Sequence, residues 1–255
     1  TWLLTMSAIG AAALLMSRRF GRDAALLFST FLLQIPLVAI HLSQGYADLP
    51  LMLFCLLSWL TLLEYMEAGG RRWMLLSPLL LSAALWTKSE GLFIAFVPWA
   101  LTLIIARKDL QFTWKQCLGW IGLGFALYAP FILLLLLKGL PLTPHESDGS
   151  LGLKWEGFGA LPSALFGSGS YGVYGMALCI ALFVLMKHSI KDRRLMALGI
   201  WGGASSAIVL FTYLCTPNVV FLLNGQSFFR QMFIPVALLT VWCFVLWKEQ
   251  KSAAA

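Results

Sequence analysis

Apolar runs of roughly 15 to 22 residues follow one another along this 255-residue chain, separated by short polar connectors. A helix needs about 20 residues to cross the hydrocarbon core of a bilayer, with about 17 to 25 usual. Nine such spans can be drawn, at about 2–16, 24–42, 49–65, 73–86, 92–106, 117–137, 173–186, 195–215 and 231–247. Apolar residues make up 60% of the chain and charged residues 11%, with a mean hydropathy of +0.84. That is too little charge to cover a soluble domain of this size. The sequence therefore predicts an all-α, polytopic transmembrane helical bundle, a single domain over residues 1–255 with a long external loop at about 138–172.

The charges order the spans. Of the 18 Lys and Arg residues, 14 fall in alternate connectors: Arg18, Arg19 and Arg22; Arg71 and Arg72; Arg107, Lys108 and Lys115; Lys187, Lys191, Arg193 and Arg194; Lys248 and Lys251. Short basic connectors of this kind stay in the cytoplasm. The connectors 43–48, 87–91, 138–172 and 216–230 then face outward. Only Lys88, Lys138, Lys154 and Arg230 stand on that side. The net charge of +7 is thus a topology signal, with membrane lipids as the neighbours and no nucleic acid. The five cysteines form no CxxC pair and read as small apolar packing residues.

Chemistry is expected on the outward side, because the basic connectors hold nothing resembling it. Asp48, two residues before Pro50, is an isolated carboxylate at a span boundary. It reads either as a helix N-cap or as an acid that binds a proton, a cation or sugar hydroxyls. Lys88 and Glu90 share a turn between two spans, either as a local ion pair or, for Lys88, as a point charge for a phosphate. Arg230 opens the last span, where neither topology nor the helix dipole favours a cation. It suits bidentate phosphate recognition or simple snorkelling to the interface. The long outward loop carries many glycines together with Trp155, Phe158, Tyr171 and three acids. No Walker loop, HExxH or GxSxG run is present.

Several of these residues occur in a familiar order. Arg19-Phe-Gly-Arg22, then Pro36, Ala47-Asp48-Leu-Pro50-Leu51, Arg71-Arg-Trp73 and Thr87-Lys88-Ser-Glu-Gly91-Leu92 lead to Tyr213-Leu-Cys-Thr-Pro217 and Ser227-Phe-Phe-Arg230…Pro235. The series resembles the polytopic glycosyltransferases of the GT-C superfamily, near the protein mannosyltransferases and the lipid-A aminoarabinose transferases. The resemblance implies inverting transfer of a sugar from a polyprenyl-phosphate donor to a lipid, glycan or protein acceptor. It also implies the outer face of the bacterial cytoplasmic membrane.

By the same resemblance Asp48 matches the family's second acidic position, and Lys88 and Arg230 are donor-phosphate contacts. Glu90 falls at a variable position, and its candidate catalytic role rests on chemistry. Tyr46 and Trp155 complete the substrate-binding set. The family's first catalytic Asp lies in an external loop before the second helix, so an N-terminal helix and that loop are expected upstream of Thr1. No cofactor is required by these residues, although a divalent metal, Mg or Mn, at Asp48 is open. A transporter or lipid flippase, and a non-catalytic family member, are the rival readings.

Overall fold

The computed structural model describes residues 2–33, 38, 47–88, 90–139, 152–167, 175, 177–183, 192–223 and 228–254. Every regular element among them is helical. They are α1 (Trp2–Phe20), α2 (Arg22–Leu33), α3 (Asp48–Ala68), α4 (Arg71–Thr87), a π-helical turn at Leu92–Phe96 that runs into α5 (Val97–Ile105), α6 (Trp114–Leu137), α7 (Trp155–Phe166), α8 (Arg193–Cys215), α9 (Val219–Leu223) and α10 (Phe228–Ala254). Residues 177–183 are also helical. Five helices are long and apolar enough to cross a membrane: Leu3–Phe20, Asp48–Ala68, Trp114–Leu137, Arg194–Cys215 and Arg230–Glu249. The apolar stretch Leu92–Ile105 is shorter. An all-helical, multi-pass membrane bundle is the architecture these elements make.

α3 is the centre. It is buried nearly all round, against α1, α4 and α10, as its uniformly apolar sequence requires. It joins α4 through Gly69 and Gly70, whose φ values of 65° and 93° are open to glycine without a Cβ penalty. α6 behaves oppositely. Its buried residues Cys117, Gly124 and Tyr128 form one narrow stripe, which faces the α4 side. Leu118, Phe125, Leu133, Leu134, Leu136 and Leu137 are left exposed, as a lipid-facing helix demands. Cys55, Cys117 and Cys243 are buried free thiols, in line with their reading as packing residues.

Several polar groups inside the bundle are satisfied across helix pairs, whereas, among the described residues, Thr5 Oγ1 and Trp201 Nε1 are buried without a hydrogen bond. Ser58 and Ser77 exchange hydrogen bonds between α3 and α4, and Trp99 Nε1 donates to Ser77 Oγ at 3.0 Å. Trp59 Nε1 donates to Leu198 O at 3.2 Å, and Trp242 Nε1 to Leu195 O at 2.7 Å, tying α3 and α10 to α8. Ser82 Oγ reaches Gly124 O on α6 at 3.2 Å.

The π-turn has a local cause and a remote prop. Pro98 has no N–H to offer the Ile94 carbonyl in an α pattern. Ser205 of α8 donates to that carbonyl at 2.7 Å. Ser205→Ala should therefore lower stability by about 0.6 kcal/mol, up to about 1.7, the range for such bonds in membrane proteins. Detergent-titrated unfolding checks this, and an unchanged midpoint would count against Ser205 as the prop.

Candidate functional site

Asp48, Lys88, Glu90 and Arg230 come together at one end of the bundle. Three features of the chain bring them there. α3 begins at Asp48, with Ala47 as a cap that offers no side-chain bond. Asp48 is therefore not the N-cap but the first helical residue, where the helix dipole favours a negative charge. α4 ends at Thr87, and Lys88 is extended, at φ −161° and ψ 130°. The turn then closes with Gly91 N–H donating to Lys88 O at 3.0 Å. A Cβ on Gly91 would sit 3.1 Å from Leu51 and 3.3 Å from Leu85. Glycine thus lets this turn press onto the first turn of α3. Finally, Phe228 is fully buried and packs edge-to-face on Tyr213 of α8, with centroids 5.2 Å apart. That contact fixes the first turn of α10, two residues before Arg230.

The resulting geometry centres on one carboxylate. Lys88 Nζ donates to Asp48 Oδ1 at 3.0 Å. Arg230 donates from Nε at 3.0 Å and from a terminal nitrogen at 2.6 Å, both to Asp48 Oδ2. Lys88 Nζ also lies 2.6 Å from Glu90 Oε2, an ion pair without hydrogen-bond geometry. The Asp48 side chain is only 4% exposed, while Lys88 is 25% and Arg230 30% exposed. The carboxylate is thus the floor and the cations are the rim. Arg230 at a helix N-terminus opposes the dipole, and Asp48 offsets that cost. The local Lys88–Glu90 pair is present, and Lys88 also reaches Asp48, a contact the sequence did not predict.

Trp155 is not among the residues meeting Asp48; its ring pairs with Phe158 on an exposed face of α7. Tyr46 lies outside the described residues. Both carboxylate oxygens of Asp48 face cations, Oδ1 Lys88 and Oδ2 Arg230. Among the described residues no group of three His, Cys, Asp or Glu forms a metal cage.

A second ionic cluster lies at the other end of α3, and sequence reasoning missed it. Arg19 of α1 pairs with Glu67 of α3 and, at 2.5 Å, with Glu249 of α10. Arg18 and Arg72 both lie over Trp73, at 5.5 and 5.3 Å. Arg107 lies over Trp114 at 4.4 Å. The available signal was the presence of Glu67 and Glu249 next to otherwise basic connectors. From Asp48 to Glu67 the helix rises about 28 Å at ~1.5 Å per residue, close to the ~30 Å hydrocarbon core. The two clusters therefore bracket one membrane thickness.

No family model, curated protein or solved structure matches the chain.

Proposed function

We propose that this chain is a GT-C-like membrane glycosyltransferase of about nine spans, moving a sugar from a polyprenyl-phosphate donor to a lipid, glycan or protein acceptor. In this reading the Asp48 end faces outward from a bacterial cytoplasmic membrane, and the Arg19 end faces the cytoplasm. The observation that carries the proposal is the convergence of Lys88 and Arg230 on one buried carboxylate from 142 residues apart in the chain. These are two of the four cations on the side where cations are avoided.

In the transfer, the bond from the anomeric carbon to the phosphate oxygen breaks, the oxygen of the acceptor hydroxyl bonds to that carbon, and the hydroxyl proton is released to water. The electron pair leaves with the phosphate, whose negative charge grows by one. Cations held on a rim, with a lower-dielectric floor, stabilise that growing charge more than the intact donor. A lysine ammonium has three donors, and Asp48 and Glu90 engage two directions of Lys88. With both oxygens on cations, Asp48 acts as the positioning residue that sets the spacing of Lys88 and Arg230. Glu90 holds Lys88 from its other side. No step needs a metal.

The test uses the full-length protein in vesicles with a radiolabelled polyprenyl-phosphate sugar. Lys88→Ala should cut turnover about 10²- to 10³-fold, the scale for losing one charge-stabilising donor, with Lys88→Arg recovering part of it. Undiminished turnover in Lys88→Ala would sink the assignment. Lipid flux without donor turnover would favour the flippase reading instead.

A further inference from the structure

The short helix α7 is held at a definable depth. The apolar part of α8 runs 22 residues, from Arg194 to Cys215. That is about 33 Å of helix at ~1.5 Å per residue, against about 30 Å of hydrocarbon. With Arg194 at one polar boundary, Cys215 reaches the other. There the chain bonds back onto α8: Gly152 N–H donates to Cys215 O at 3.0 Å, and Lys154 N–H to Leu214 O at 2.7 Å. Trp155, the first residue of α7, therefore starts beside the last turn of α8.

The two faces of α7 differ. The attached face is small. Gly157 is buried, and a Cβ there would lie 2.9 Å from Leu214 and 3.0 Å from Val219; Ala164 is buried too. The helix thus lies flush on α8 and α9. The other face is large, apolar and uncovered. Trp155 is 73% exposed, Phe158 and Phe166 are exposed, and Val220 and Leu223 of α9 extend the exposed apolar surface. Phe211, one turn inside the end of α8, is exposed as well, so apolar exposure continues from the spanning part of α8 onto its cap.

Water is a poor neighbour for so much contiguous apolar surface. Aromatic rings beside charged residues, here Lys154 and Glu156, suit the headgroup zone, where rings meet hydrocarbon and charges meet water. We propose that α7 is an interfacial helix, seating Trp155, Phe158 and Phe166 in phospholipid at the Cys215 end of the bundle. Because α7 also touches α10, whose first turn carries Arg230, it would fix the depth of that end. This holds whatever chemistry Asp48, Lys88 and Arg230 perform.

Site-directed spin labelling tests it, in phosphatidylethanolamine–phosphatidylglycerol vesicles and with Cys179 and Cys215 replaced by Ser. A label at Trp155→Cys should collide with dissolved oxygen several-fold more, relative to a water-soluble nickel chelate, than a label at exposed Lys108→Cys. A nickel response equal to that at Lys108 would mean a water-facing helix and overturn the proposal. Exclusion of both reagents would mean a protein cover, whether a second copy or another partner, and would also overturn it. Should Trp155→Cys fail to fold, Leu223→Cys on α9 reads the same surface with the same criteria.

Discussion

Asp48→Asn should destabilise the bundle by roughly 2–4 kcal/mol, as well as impair any chemistry at this end. Removing one partner of a buried ion pair costs about 3–5 kcal/mol, because the remaining charge is stranded. Here the stranded charges are Lys88 and Arg230, each with a quarter to a third of its side chain exposed, so water recovers part of the loss. The shape of Asn is nearly that of Asp, which makes charge, not volume, the variable. Detergent-titrated unfolding gives the first measurement. A double-mutant cycle with Arg230→Gln gives the second, and a coupling of about 1–3 kcal/mol is expected for residues in one network. Additive losses would show that the pair carries no stability of its own. Turnover separates the two roles: Lys88→Ala at native stability but with lost transfer marks a catalytic cation.

Gly199→Ala should cost about 1–4 kcal/mol even after the gain in helix propensity is subtracted, a large effect for one methyl group. The added Cβ would lie 2.5 Å from two ring carbons of Trp242. Trp242 is buried, and its Nε1 donates to Leu195 O at 2.7 Å. The ring must move, which adds overpacking of about 1–3 kcal/mol to a lost interhelical bond of about 0.6 kcal/mol, up to about 1.7. Gly203→Ala is the matched control on the same helix. Nothing lies within 4 Å of a Cβ there, and Ala is favoured over Gly in a helix by about 0.8–1.0 kcal/mol. Thermal unfolding should therefore rank Gly203→Ala at or above the native protein and Gly199→Ala well below it. Equal midpoints for the two would refute the close seam between α8 and α10.

The helices were legible because hydropathy and length act locally. The drawn span at 49–65 became Asp48–Ala68, and that at 195–215 became Arg193–Cys215. The ends moved for reasons of capping. Asp192 accepts from Arg194 and Leu195 N–H. Thr113 and Gln116 form a capping box that starts α6 three residues before its drawn span. The span drawn at 92–106 hid a π-turn, which depends on Pro98 locally and on Ser205, 111 residues away. The connectors at 138–172 and 216–230 read as loops because α7 and α9 are too short for a spanning signal.

Asp48, Lys88, Glu90 and Arg230 could be picked out singly, as charges placed where charge is costly. Their meeting could not, because it depends on which helix ends are neighbours. The same holds for Arg19, Glu67 and Glu249, whose pairing joins three helices, and for Gly199, whose need for a missing side chain comes from Trp242. By itself the sequence determined that this chain is a bundle of apolar helices with cations gathered at alternate connectors, since both follow from the free energy of residues taken one segment at a time. The tertiary structure alone decided that one buried carboxylate would hold two distant cations, because a pairwise charge energy exists only once packing has brought the partners within about 3 Å of each other.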